Sequence, residues 1–186
     1  MILGLDVSTS IIGVTILDGH GNLLMCESWD LRNKKYYPSL YVKGKKVQEK
    51  FNEMIHQRQF RISQIYIEDS LQSFRPGFSS AKIITTLAKM GGIVGWLCEE
   101  VFSIPPEYLN SKTARKTCGI KVLRGQNAKE IVLNHMLKKE PAFTIEYTKK
   151  GNPKPGSYDQ ADSLVIAKAG YYLNNRRSNE EQVNEI

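Results

Sequence analysis

Apolar residues alternate with small and polar residues over positions 1–30, and this pattern predicts three short strands. The strand segments are ILGLDVS, IGVTILD and LLMCESWDL, and a Gly- and Asp-containing turn at 18–22 separates the second from the third. Runs of β-branched and apolar residues around such a turn are typical of β-hairpins. The chain therefore begins with a predicted antiparallel sheet.

The apolar spacing changes after this sheet. The segment VQEKFNEMIHQRQF carries apolar residues at i, i+4, i+7 and i+8, which predicts a helix after a polar, Tyr- and Lys-rich connection at 32–46. The next apolar run, at 62–69, predicts a fourth strand. Because a helix joins it to the earlier strands, a right-handed crossover should place it parallel to the first strand.

Helical patterns dominate the rest of the chain. The predicted elements are a helix at about 79–102, a short strand at 104–109, a helical turn at 110–116, and helices at 127–138 and 157–173. Pro105 and Pro106 interrupt the short strand, which suits the edge of a sheet. We expect one domain over 1–173 and a polar, disordered tail over 174–186.

Composition narrows the class of protein. A chain of 186 residues with 41% hydrophobic and 24% charged residues is typical of one ordinary soluble domain. We expect no stretch to supply the ~20 apolar residues of a membrane span, and the first strand leaves no room for a signal peptide. We therefore expect a cytoplasmic protein with no membrane partner. The three cysteines and three histidines are scattered, so neither a disulfide framework nor a zinc site is indicated.

The net charge points to a polyanionic partner without proving one. The chain has 26 Lys and Arg residues against 19 Asp and Glu residues, a formal net charge of +7. Such an excess is common in nucleic-acid-binding proteins, but it also occurs on merely soluble basic surfaces. The charge alone leaves both interpretations open.

Two acidic residues end predicted strands. Asp6 ends the first strand and Glu68 ends the fourth, so a parallel pairing would place both at the carboxyl edge of the sheet, where ligands bind in α/β folds. Glu68 and Asp69 should face opposite sides of the strand, and we assign Glu68 because it still lies within the strand pattern. Asp6 alone could instead cap a turn, or belong to the phosphate-gripping hairpin of an actin-like ATPase, although the chain is short for that class.

Two further acidic residues lie on the last predicted helix. Asp159 and Asp162 are three residues apart and share a helix face, where like charges repel unless a cation offsets them. Alternatively, Asp159 caps the helix and Asp162 interacts with the helix dipole. Together with Asp6 and Glu68, these carboxylates suit Mg²⁺ or Mn²⁺ and phosphodiester chemistry. The sequence therefore predicts a metal-dependent nuclease.

The segments LGLDVSTS, IYIED and DQADSLVIA together resemble the RuvC-type Holliday junction resolvases of the RNase H-like superfamily, over residues 1–173. The resemblance implies an RNase H-like α/β fold: a five-stranded mixed sheet whose first three strands are antiparallel, with helices on both faces. It also implies a homodimer, formed through the helix at 79–102, that nicks four-way DNA junctions symmetrically and leaves 5′-phosphate and 3′-hydroxyl ends. Asp6, Glu68, Asp159 and Asp162 would hold two Mg²⁺ ions, with Mn²⁺ as a substitute. The long connections at 32–46 and 149–155 resemble viral or mobile-element members.

The same resemblance suggests residues that contact DNA. Arg115, Lys116 and Lys129 match basic elements that hold phosphates near the cut, although they could also be solvated surface charges. Phe74, next to Arg75, lies where these resolvases carry an aromatic residue that stacks at the junction centre. A buried loop anchor is an equal alternative for Phe74.

Other functions stay open at this stage. An RNase H-like nuclease could act on flaps, replication forks or RNA–DNA hybrids rather than on four-way junctions. A non-catalytic junction-binding or nucleotide-binding module could also retain the four carboxylates.

Overall fold

Five strands form one mixed sheet in the computed structural model, which describes residues 1–69 and 81–184. The strands are β1 (Ile2–Val7), β2 (Ile11–Leu17), β3 (Leu23–Asp30), β4 (Gln64–Glu68) and β5 (Glu107–Leu109). Their order across the sheet is β3-β2-β1-β4-β5. β1, β2 and β3 pair antiparallel, whereas β4 pairs parallel with both β1 and β5. The predicted topology is confirmed.

Helices cover both faces of this sheet. They are α1 (Leu40–His56), α2 (Ala81–Phe102), α3 (Ser111–Thr117), α4 (Ala128–Lys139) and α5 (Ser157–Asn184). One apolar core, which includes Leu5 and Phe51, lies between the sheet and α1 and α2. A second core, which includes Tyr66 and Leu164, lies between the opposite face and α3, α4 and α5.

The first and last helices differ most from the predicted boundaries. α1 begins at Leu40 rather than Val47, because the Ser39 hydroxyl accepts a hydrogen bond from Val42 N at 3.3 Å and caps the helix. The predicted helix end at Leu173, with a disordered tail after it, is also wrong for residues up to 184. α5 continues to that point because no proline or glycine interrupts it after residue 170 and because Arg177 pairs with the Glu107 carboxylate at 2.9 Å.

β5 is shorter than predicted and lies at the edge of the sheet. It begins at Glu107 rather than at residue 104, directly after Pro105 and Pro106. Proline has no backbone N–H to donate to a neighbouring strand, so strand pairing starts only after the second proline.

α2 is long and apolar enough to cross a membrane by length and composition, with a mean hydropathy of 1.2, which the sequence analysis did not expect. The central helix of a soluble protein meets the same criterion. Met90, Val94, Leu97 and Cys98 of α2 are buried in the core it shares with the sheet. One side of α2 therefore packs on the sheet, although only 28% of its apolar window is buried.

α5 lies unusually close to the sheet because glycines occupy the contact positions. A Cβ atom on Gly13 would lie 1.9 Å from the Asp159 carbonyl oxygen, and one on Gly4 would lie 2.6 Å from Ala167. Real Cβ atoms do not approach other atoms so closely. The absence of a side chain at Gly4 and Gly13 therefore lets the backbone of α5 rest directly on β1 and β2.

We predict that Gly13→Ala lowers the free energy of unfolding by ~1–3 kcal/mol, because the added methyl group must displace the start of α5. Urea denaturation measures the change. Gly19→Ala is the control, since a Cβ atom there meets nothing within 4 Å and should change stability by less than ~0.5 kcal/mol. Equal stabilities for Gly13→Ala and the unmodified protein would show that α5 is not held by this contact.

Candidate active site

The strand register places Asp6 beside Glu68. Leu5 pairs with Ile67 across β1 and β4, and both of these side chains lie in the core with α1 and α2. Since consecutive strand residues face opposite sides, Asp6 and Glu68 both face α5. Asp69 comes after the end of β4, and its backbone N–H donates to Leu109 O at 2.9 Å.

The glycine contact brings the third acidic residue to the same place. Gly13 is paired with Asp6 in the β1–β2 register, and the Asp159 backbone rests against Gly13. α5 begins at Ser157, so Asp159 lies inside the first helical turn instead of preceding the helix as a cap. Asp162 follows one turn later on the same side. The four carboxylates predicted from the sequence therefore gather at one end of the sheet.

Burial raises the pKa values of all four acids, and repulsion between the acids adds to this effect at Asp6, Glu68 and Asp162. Burial, followed by the charges of Glu68, Asp162 and Asp159, raises the pKa of Asp6 well above its ordinary value. Burial and the charge of Asp162 raise the pKa of Glu68 to about 7. Burial raises the pKa of Asp162 to about 6 and also raises that of Asp159. Nearby positive charge would favour the ionised form of these carboxylates.

Lys129 supplies part of that positive charge. It lies in the first turn of α4, where the Asn127 side chain caps the helix by accepting from Lys129 N at 3.1 Å. Its charge lowers the pKa values of all four carboxylates and so opposes the shifts caused by burial. Among the residues that the structure describes, Lys129 is therefore a cationic neighbour shared by all four acids.

Arg115 lies on α3, which follows the edge strand β5 next to Glu68. β5 pairs Leu109 with Glu68, and α3 starts two residues later at Ser111. The Ser111 hydroxyl hydrogen-bonds with the Glu68 carboxylate and accepts from Arg115 Nη2 at 3.0 Å. The charge of Arg115 lowers the pKa values of Glu68 and Asp162. Ser111 was missed in the sequence, because its role depends on how β5 places the start of α3.

Arg32 is a second residue that the sequence analysis missed. It follows β3 and forms a two-pronged ion pair with Asp30, with nitrogen–oxygen distances of 2.9 and 2.6 Å. Its charge lowers the pKa of Asp159, although the side chain remains half exposed. Only the three-dimensional structure brings it to the acidic cluster, since no motif surrounds it.

The remaining predicted DNA contacts are Lys116, Phe74 and Arg75. Lys116 is exposed on α3, and its charge is not among those that shift the pKa values of the four carboxylates. Phe74 and Arg75 lie outside the described residues. Their roles stay predictions.

The donor set fits a hard divalent cation in its chemistry. Four carboxylates provide only oxygen ligands, and bound cations would relieve the repulsion that raises their pKa values. Over residues 1–69 and 81–184, however, no three acidic, histidine or cysteine side chains stand in an arrangement ready to hold an ion. Direct coordination would therefore require the carboxylate side chains to move closer together.

We predict that Glu68→Gln stabilises the metal-free protein at pH 8 but not at pH 4. An acid whose folded pKa is raised destabilises the fold once pH exceeds its unfolded value, here from about 4.5 up to about 7. The difference at pH 8 should be on the order of 3 kcal/mol, measured by urea denaturation in EDTA.

Glu180→Gln provides the control for this measurement, since it makes the same change on the exposed far part of α5. It should have little effect at either pH. A Glu68→Gln effect that is the same at pH 4 and pH 8 would contradict the electrostatic explanation.

Comparisons with known proteins identify the fold. No family model matches the chain, and no curated protein matches it in sequence. A structure of Thermus thermophilus RuvC in complex with a Holliday junction substrate is similar, with a TM-score of 0.62 and 16% identity over 93% of this chain and 94% of that chain. A second structure of Thermus thermophilus RuvC gives a TM-score of 0.58 and 19% identity over 93% and 95% of the two chains. This protein therefore has the RuvC-type, RNase H-like fold that its sequence motifs predict.

Proposed function

We propose that this protein is a metal-dependent endonuclease that resolves four-way DNA junctions. The observation that carries the proposal is the gathering of Asp6, Glu68, Asp159 and Asp162 beside Lys129 on a RuvC-type fold. The neighbour with the higher TM-score was solved with a Holliday junction substrate, which supports a branched DNA substrate here. The net charge of +7 supports a polyanionic partner.

Two Mg²⁺ ions are the proposed cofactors, and Mn²⁺ should substitute for them. Asp6, Glu68, Asp159 and Asp162 would hold the ions, and their placement at the ends of two strands and one helix supports a shared site. When bound, such ions lower the pKa of an attacking water and offset charge on the leaving oxygen. In this proposal the cut leaves a 5′-phosphate and a 3′-hydroxyl group.

The basic neighbours would position the DNA strand. Lys129 and Arg115 already lie close enough to act on the carboxylates, so a phosphate drawn to the site would meet both cations. Ser111 holds Arg115 in place, because Arg115 Nε donates a hydrogen bond to the Ser111 backbone oxygen at 3.0 Å. We assign Lys116 to the outer phosphate contacts because it is exposed on the same short helix.

A homodimer is part of the proposal. A four-way junction has approximate two-fold symmetry, which two copies of one chain can match with two active sites and symmetric nicks. α2 and the start of α1 present an apolar surface for this contact: Trp96 is 59% and Tyr41 80% exposed, and both line an open cavity of about 600 Å³. Exposed aromatic side chains at a concave surface are typical of interface centres.

We also propose a cytoplasmic location, in keeping with a soluble enzyme that acts on DNA. Burial of one side of α2 against the sheet supports a soluble domain.

A substrate panel separates the proposed reaction from related ones. Flaps, replication forks and RNA–DNA hybrids would be preferred by another RNase H-like nuclease. Tight junction binding without cutting in Mg²⁺ or Mn²⁺ would indicate a non-catalytic binding module instead.

Asp6→Asn should bind a synthetic four-way junction but cut it at least ~100-fold more slowly in Mg²⁺, because one carboxylate of the proposed ion site is lost. Gel analysis of end-labelled strands measures cutting, and sealing of the nicks by a ligase tests the expected ends. The unmodified protein in EDTA, and on a duplex of matched sequence, should not cut.

Asp18→Asn is the matched control, since it makes the same substitution in the β2–β3 turn, at the end of the sheet opposite to Asp6. It should retain the cutting rate. Retained cutting by Asp6→Asn would remove Asp6 from the site.

Trp96→Asp should shift the protein from dimer to monomer, because it buries a charge in the proposed α2 interface. Light scattering after size-exclusion chromatography measures the mass. Leu123→Asp, at a side chain of similar exposure (53%) in the loop before α4, should leave the mass unchanged. A monomeric unmodified protein would rule out the dimer.

A further inference from the structure

A small hairpin lies immediately before α5 and has no role in the reaction proposed above. Tyr147 and Pro153 pair antiparallel, and Thr148 N donates to Asn152 O at 2.8 Å. Lys154 N donates to Glu146 O at 2.8 Å, and Gly151 closes the turn with a φ of 78°. We call residues 146–154 the pre-α5 hairpin.

The base of this hairpin is fixed to the helix that carries two of the four carboxylates. Ser157 N donates to Lys154 O at 3.2 Å, and Gln160 N donates to Gly156 O at 2.9 Å. Gly156 also rests on β3, where an added Cβ atom would lie 2.2 Å from Ser28 Oγ. The hairpin is therefore a continuous extension of the first turn of α5, on the side of the site where Asp159 lies.

The tip of the hairpin presents positive charge to solvent. Lys149 and Lys150 are both exposed, and in the part of the chain that the structure describes neither forms an ion pair. Lys154, in contrast, pairs with Glu146 at the base, so these two charges offset each other. The exposed ring of Tyr147 lies on the same hairpin.

The position of this charge complements the cations already described. Arg115 acts on Glu68 and Asp162, whereas Arg32 acts on Asp159, so the acidic cluster has basic residues on two sides. Gly151 and Gly156 are five positions apart along the chain, so they lie at most ~17 Å from each other. Measured along the axis of a duplex, that distance covers about five phosphates of one strand, at 3.4 Å per phosphate.

We propose that the pre-α5 hairpin is a second phosphate-binding element, which holds the backbone of a duplex arm on the Asp159 side of the active site through Lys149 and Lys150. This inference rests on the proposed function and extends it to the path of the DNA beyond the cut. A duplex backbone is the favoured partner because two exposed, unpaired lysines on a fixed hairpin match a regular row of phosphates without reading sequence.

The test compares two double variants in the Asp6→Asn background, which prevents cutting. Lys149→Gln/Lys150→Gln removes the proposed contacts. Lys138→Gln/Lys139→Gln removes two adjacent exposed lysines from the opposite end of α4, away from Lys129, and is matched in charge. The affinity for a four-way junction is measured between about 50 and 200 mM salt, a range over which phosphate contacts have a large effect.

The hairpin variant should reduce the slope of log affinity against log salt by about 2, one unit for each phosphate contact. Lowering the salt across this range would then tighten the parent protein about tenfold more than the hairpin variant. The α4 variant should keep the parental slope, and both variants should keep the parental melting temperature.

An unchanged slope for the hairpin variant would overturn the inference, and so would equal reductions for the two pairs, which would reveal only the effect of net charge. Cutting of the same junction by the unmodified protein in Mg²⁺ tests the proposed function separately. If the unmodified protein cuts the junction and the hairpin variant keeps the parental slope, only the proposed role of the hairpin is refuted. If the slope is reduced but the unmodified protein does not cut, the proposed nuclease function is refuted and the hairpin remains a DNA contact.

Discussion

The main constraint on this structure is that four acidic side chains, which repel one another when ionised, are held together at one end of the sheet. Burial raises the pKa values of Asp6, Glu68, Asp159 and Asp162, and repulsion between the acids adds to it at three of them. Within the described residues, Lys129 is a cation that acts on all four. Such crowding costs stability, so the fold must hold the acids together by other contacts. The side-chain-free positions on β1 and β2, and the core between α5 and the sheet, provide those contacts.

The two faces of the sheet have separate tasks. The face toward α1 and α2 carries apolar residues of the central strands. On the solvent side of these two helices, Tyr41 and Trp96 are exposed. The face toward α5 carries the acids, and short elements that begin beside the strand ends bring basic residues to them. A dimer contact on the first face and DNA on the second could therefore coexist without competing for the same surface.

Sequence patterns predicted the elements whose signals are local. The extent of the strand pattern distinguished Glu68 from Asp69, the parallel crossover placed Glu68 near Asp6, and helical spacing paired Asp159 with Asp162. The pattern failed where tertiary contacts decide: Arg32 and Ser111 meet the acids only through packing. The start of α1 was missed because the capping Ser39 is hidden in a Tyr- and Lys-rich run, and the length of α5 was missed because its polar residues resemble a solvated tail.

The contact between Gly13 and the start of α5 has a consequence for how sequences of this fold can change. It is made by main-chain atoms and the lack of a side chain, so it sets no requirement on the identity of most neighbouring residues. Core positions need only retain their volume and apolar character. Most core positions of this architecture can therefore change in sequence, provided that glycine is kept where the backbone of α5 rests on the strands.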